Sequence, residues 1–108
     1  MKTIIWPTNI NGKLANNSFL HIDRAPQQMP TRQQLDSTEF TIMVADKSHL
    51  PVRVKVQHIA TFPLSELSNI HTWPSHGIDN AEFIHQQHVK QKVTKETMLA
   101  VYYYKKIQ

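Results

Sequence analysis

The residue types best suited to chemistry gather in the second half of this chain. Glu82, His85 and His88 follow Asp79 at three-residue intervals, close enough on a helix to act together. A glutamate on a cleft-facing helix start can take a proton in amide hydrolysis when burial raises its pKa. Two histidines at i and i+3 can share a metal. Neither an H-E-x-x-H pattern nor an acidic cluster accompanies the pair, so no metal and no cofactor is expected. Glu82 also has a structural role available. At the third helical position its carboxylate can reach back to the Asp79 backbone amide in a capping box, with Ile78 and Phe83 at hydrophobic-staple spacing. The spacing favours that role over the catalytic one.

In the first half, Lys13 follows Gly12 in an asparagine-rich loop, a setting suited to binding phosphate or polarising a carbonyl. Arg24 can grip a phosphate or a carboxylate. Trp6, Trp73 and the Tyr102–Tyr104 run offer surfaces on which bases stack. Each has a plain alternative. Lys13 would be an exposed loop lysine, Arg24 would pair with Asp23 at the surface, and Tyr102 and Tyr104, sharing one strand face, would pack into a core.

The net charge of +4 is unevenly placed. Up to His85 the positive and negative residues balance, and the surplus comes from Lys90, Lys92, Lys95, Lys105 and Lys106 against Glu96. A one-sided positive field suits a phosphate-bearing partner or simply solubility. None of the three arginines lies in this segment, so lysine contact with a phosphate backbone is expected rather than bidentate base reading.

Short elements must position these groups. Strands are expected at Thr3–Trp6, Phe19–Ile22, Glu39–Val44, Val52–Ile59 and Met98–Tyr104. In the fourth, Val52, Val54 and Val56 alternate with Arg53, Lys55 and Gln57, the mark of a strand buried on one face in an antiparallel sheet or barrel. It should pair with Glu39–Val44 as a hairpin. Two short helices are expected, one around Pro63–Ser68 and one from Asp79 to about His88, while Ala25–Arg32 and Asn69–Gly77 read as loops. The resulting fold class is α+β, a small barrel of five or six strands with two short helices, forming one domain over residues 1–108.

Composition narrows the function classes. Forty per cent apolar and 19% charged residues suit a folded, non-membrane protein, and the absence of cysteine excludes disulfides, iron–sulfur centres and thiol nucleophiles. The short apolar run before Pro7 does not read as a signal peptide, so a cytoplasmic location is expected. Two glycines cannot build a Gly-rich phosphate loop, and no serine sits in a nucleophile elbow.

Read in order, a strand near Phe40, then VRVKVQHI, FPLSEL, the helix after Asp79 and LAVYYYKKI resemble an ASCH domain, of the PUA-like class related to RNA-binding modules. The resemblance is strongest over residues 35–107. Gly12-Lys13 and Arg24 match the ends of the family's glycine–lysine to arginine pattern, with Ser18 or His21 at its middle position. The resemblance implies an RNA-binding or nucleotide-binding domain whose cleft lies between the Gly12–Arg24 region, the Trp73 loop and the start of the Asp79 helix. Arg24, Trp73, Lys90, Lys92 and Lys95 would hold the ligand. A subset of the family hydrolyses acylated cytidine, and there Lys13 and Glu82 would be the catalytic residues. A non-catalytic protein-interaction module is the third reading.

Overall fold

The computed structural model describes residues 2–91, 93–94 and 96–107, without the side chains of residues 10, 80 and 88–91. In chain order the elements are strand β1 (Lys2–Trp6), a 3-10 turn (Ile10–Ala15), β2 (Ser18–Arg24), helix α1 (Arg32–Ser37), β3 (Phe40–Val44) and β4 (Val52–Pro63). A 3-10 turn (Leu64–Glu66), α2 (Asn69–His76), α3 (Asn80–Gln91) and β5 (Met98–Lys106) follow. The expected strands are all present.

The five strands form one sheet in the order β1-β3-β4-β5-β2. β1 runs parallel to β3, whereas the pairs β3–β4, β4–β5 and β5–β2 are antiparallel. The β3–β4 hairpin places Ile42 opposite Val52 and Phe40 opposite Val54. The ladder is open, with β1 and β2 as its edges, yet the sheet curls until those edges meet through side chains. Trp6 of β1 stacks on His21 of β2 at 4.4 Å and meets the edge of Phe19 at 6.0 Å.

Alternation in β4 puts Val52, Val54 and Val56 in the core and leaves Arg53 and Gln57 exposed. The register with β5 then shifts between Val56 and His58. Such a bulge bends the strand and adds twist, and it reverses which residues face which side. Before it, Val54 and Val56 join a cluster with Trp6, Leu14, Phe19 and Tyr104. Beyond it, Phe62 packs on the opposite cluster of Ile22, Leu64, Phe83, Leu99 and Val101. One strand thus serves two cores.

The described residues form three α-helices rather than two. The 25–32 loop leads into α1, whose N-cap Thr31 accepts from the Gln34 amide while the Gln34 side chain accepts from the Thr31 amide. That reciprocal pair satisfies two otherwise orphaned donors. Leu35 then anchors the helix in the first core. Where a short helix is expected around Pro63–Ser68, Leu64–Glu66 form a single 3-10 turn, while Thr61, Phe62 and Pro63 before it continue the ladder with β5. The segment expected to be a loop around Trp73 is α2, with Pro74 inside it. Its C-terminal carbonyls, which a helix leaves unsatisfied, are taken by distant donors. Asn11 Nδ2 donates to Trp73 O at 3.0 Å and to Pro74 O at 3.3 Å, and Gly77, left-handed at φ 71°, donates its amide to Trp73 O at 2.9 Å. These bonds hold a helix that a mid-helix proline would otherwise weaken.

Candidate ligand cleft

The turn after β1 aims a lysine inward. Asn11 and Gly12 both adopt left-handed backbone, at φ 59° and 62°, a conformation that asparagine and glycine tolerate best. The following residue, Lys13, is only 2% exposed. Its Nζ donates to Ser75 O at 2.7 Å, lies 2.6 Å from His21 Nδ1 and sits 4.8 Å from the centre of the Trp6 ring. The groups that compensate its charge are a helix C-terminal carbonyl, an imidazole and a ring face. A cation at a helix C-terminus is favoured by the macrodipole, but less than full hydration would favour it. Burial accordingly pulls the Lys13 pKa from 10.5 down to about 7.

His21 lies between Trp6 and His76 in a column of rings. The His21–His76 centroid distance is 5.4 Å, and the His76 ring meets the edge of Phe83 at 5.0 Å. Burial, then the Lys13 charge, then His76 hold the His21 pKa well below the ordinary histidine value. Burial, followed by Lys13, lowers His76 to about 4. Both imidazoles are therefore neutral at pH 7. Ser75 joins the group through its hydroxyl, which accepts from the Ile22 amide at 2.9 Å and lies 2.8 Å from His76 Nδ1.

Two clefts open on this cluster. The first, about 620 Å³, has Trp6, His21, Asp23, Gln34, Tyr102 and Tyr104 in its walls. The second, about 380 Å³, is bordered by His21, Asp23, Arg24, His76, Phe83 and Gln87. His21 and Asp23 line both, so they form the partition between them. Burial raises the Tyr102 and Tyr104 pKa values, which keeps both phenols neutral as hydrogen-bonding groups. Aromatic walls with an imidazole, a carboxylate and phenols suit a planar heterocycle bearing hydrogen-bonding edges.

The expected site residues are only partly brought together. Lys13 lies directly behind the partition, and Arg24 lines the second cleft. Trp73 is on the outer side of α2, 53% exposed, and borders neither cleft. Glu82 is exposed on α3 and also borders neither. The Asp79 carboxylate accepts from the Glu82 amide at 2.8 Å, and Glu82 Oε1 accepts from Gln86 Nε2 at 3.1 Å. The Lys90 side chain, Lys92 and Lys95 fall outside the described residues, as does the His88 side chain. Lys105 and Lys106 line a separate groove of about 680 Å³ with Arg32, Lys55 and the carboxylates Asp36 and Glu39. Among the described residues, no group of three or more histidines and acidic residues is placed to hold a metal. No helix there is long and apolar enough to cross a membrane.

Sequence reasoning did not single out Ser75, and it placed His21 only as a possible middle member of a motif. The one local signal for His21 was its sharing a strand face with Phe19. Its contact with Lys13 spans only eight residues, whereas nothing local linked Lys13 to α2, since that bond spans 62 residues.

The sequence matches no family model and no curated protein. The fold is similar to the crystal structure of protein EF3133 from Enterococcus faecalis V583, described by the family model DUF984. The TM-score is 0.67 at 8% identity, over 99% of this chain and 76% of that one. At that identity the likeness concerns the fold alone, a small α+β architecture.

Proposed function

We propose that this chain is an ASCH-type, PUA-like domain that binds a nucleoside or an unpaired RNA base in the clefts around His21. Lysines at the periphery would hold the phosphate backbone. The observation that carries this reading is the Lys13–His21–His76 cluster buried beneath an aromatic-walled cleft. Burying three titratable groups costs stability, and such costs concentrate where a ligand is recognised. The curl that brings Trp6 against Phe19 and His21 supports the barrel-like part of the reading. The charge surplus from Lys90 onward and the groove with Lys55, Lys105 and Lys106 support an anionic backbone as partner. Backbone binding releases counterions, so affinity for a short single-stranded RNA should fall linearly on a log–log scale with salt. Titration of the protein with cytidine, uridine and such an RNA over a salt series tests both parts. No saturable binding of any of them would overturn the reading, and salt-independent RNA binding would remove the lysines from it.

The second reading is amide hydrolysis on an acylated cytidine. It is favoured by one observation, the Lys13 amine held near pKa 7 by burial and therefore partly unprotonated at neutral pH. Lys13 borders neither cleft, so it would act through His21. Release of cytidine from N4-acetylcytidine, abolished in Lys13→Met, is the expected result of that chemistry. No release leaves a binding cleft only.

A further inference from the structure

The buried polar groups form one connected network with an outward-facing end. Lys13 Nζ reaches both Ser75 O and His21 Nδ1. The Ser75 hydroxyl, having accepted from the Ile22 amide, has its own proton left for His76 Nδ1. Both imidazoles are thus held through Nδ1, which leaves Nε2 as the remaining polar atom of each ring. Lys13 lines neither cleft, whereas His21 lines both. With Nδ1 of His21 taken by the buried Lys13, Nε2 is the ring nitrogen left for a ligand in either cleft.

We propose that Lys13 and His21 work as one proton-linked reader of the ligand's edge, presenting a hydrogen-bond donor to the cleft in one protonation state and an acceptor in the other. With Lys13 charged, its ammonium donates to Nδ1, the imidazole proton is confined to Nε2, and the cleft meets a donor. With Lys13 neutral, the imidazole carries its proton on Nδ1 and donates it to the Nζ lone pair, so the cleft meets a bare Nε2. The change releases one proton to solvent and leaves His21 neutral in both states. A heterocycle offering a carbonyl or an unprotonated ring nitrogen fits the first state; one offering a ring N–H fits the second. The ligand class rests on the nucleoside reading above, whereas the proton arrangement does not.

The groups facing His21 permit this. Lys13 comes from the 3-10 turn, Asp23 and Arg24 from β2, His76 from α2, and Tyr102 and Tyr104 from β5, while Trp6, Phe83 and Gln87 add no charge and Lys2 lies in the wall of the first cleft. Of these, Lys13 is the group that touches the imidazole nitrogen. Its pKa of about 7 puts the changeover near neutrality.

Nitrogen-15 NMR of the whole protein with labelled histidine reads the tautomer directly. His21 is expected as the Nε2–H form at pH 6 and as the Nδ1–H form at pH 9. In Lys13→Met that pH dependence should vanish. An Nδ1–H tautomer at pH 6, or an unchanged tautomer through pH 9, would overturn the proposal, and both are read on the wild-type protein whether or not the variant folds. For the ligand arm, cytidine is the probe, because its O2 and N3 are acceptors. Its affinity should drop about five- to tenfold between pH 6 and pH 9, the effect of losing about one hydrogen bond. Affinity constant over that range would overturn the reader role. If cytidine does not bind at either pH, the reader role toward it fails, the nucleoside reading falls only if uridine and the RNA fail too, and the tautomer titration still decides the proton arrangement.

Discussion

Two helix ends carry the charged residues that matter here, and they are built in opposite ways. At the start of α3, the Asp79 carboxylate takes the Glu82 amide three residues away, and Glu82 is paired with Gln86 one turn on. Both groups stay in water. At the end of α2, the carbonyls of Trp73, Pro74 and Ser75 are taken by Asn11 and Lys13, more than sixty residues earlier in the chain, and the lysine is buried. The first arrangement is an ordinary cap, worth about 1 kcal/mol. The second ties ionisation, helix termination and the cleft wall into one unit. A charged residue satisfied by its own neighbours is therefore a poor site candidate. One satisfied across the fold, at a desolvation cost, is a better one.

The largest effect expected from this contrast is in the pH dependence of stability. The unfolded chain binds a proton on Lys13 up to pH 10.5, whereas the folded chain releases it near 7. Between those values the unfolded state holds more protons, so stability should rise with pH, by on the order of a few kcal/mol. His21 and His76, lowered in the fold, act in the same direction below pH 6.5. Tyr104 acts oppositely, since its raised pKa makes the folded state retain a proton that the unfolded chain loses above pH 10. Urea unfolding from pH 6 to 10 should show this rise, and Lys13→Met should flatten the part above pH 7. A flat wild-type profile would place Lys13 in water and dissolve the contrast.

A smaller effect is expected at the glycine that closes α2. Gly77 is left-handed, and a Cβ there would stand 2.7 Å from Asn11 Oδ1. Gly77→Ala should cost about 1–2 kcal/mol from the backbone alone, and it should also disturb the Asn11 bonds beside Lys13. Thermal unfolding together with the His21 tautomer reads both consequences. A loss of stability with an unmoved tautomer would separate the turn from the reader.

The smallest effects belong to the α3 cap. Asp79→Ala should lose about 1 kcal/mol. Glu82→Gln should change stability by less than about 0.5 kcal/mol and leave cytidine affinity as it is. Weakened binding in Glu82→Gln would put that carboxylate back into the site.

Legibility followed the range of the interactions. The alternation of Val52, Val54 and Val56 marked β4 and its buried face, and Asp79 with Ile78 and Phe83 marked the start of α3; both depend on neighbours within a few positions. The sharing of Tyr102 and Tyr104 by one face likewise follows from a period of two, and Tyr104 is core as that face requires. The bulge after Val56 was not legible, because it is set by the register with Tyr103 and Tyr104. α1 was hidden in a proline- and glutamine-rich stretch, although Thr31 and Gln34 stood at capping-box spacing. α2 was hidden by Pro74, whose local preference is overridden by bonds from Asn11 and Lys13.

By itself, then, the amino-acid order determined strand positions, one helix cap and where the charge surplus lies, since each is a matter of side-chain period or near-neighbour bonding. Only the tertiary structure decided that Lys13 is buried and that it touches His21 and α2. It also decided that Glu82 stays outside the clefts. Burial and long-range contact depend on how the curled sheet brings its two edges and α2 together, and the desolvation that shifts Lys13 exists only once they have met.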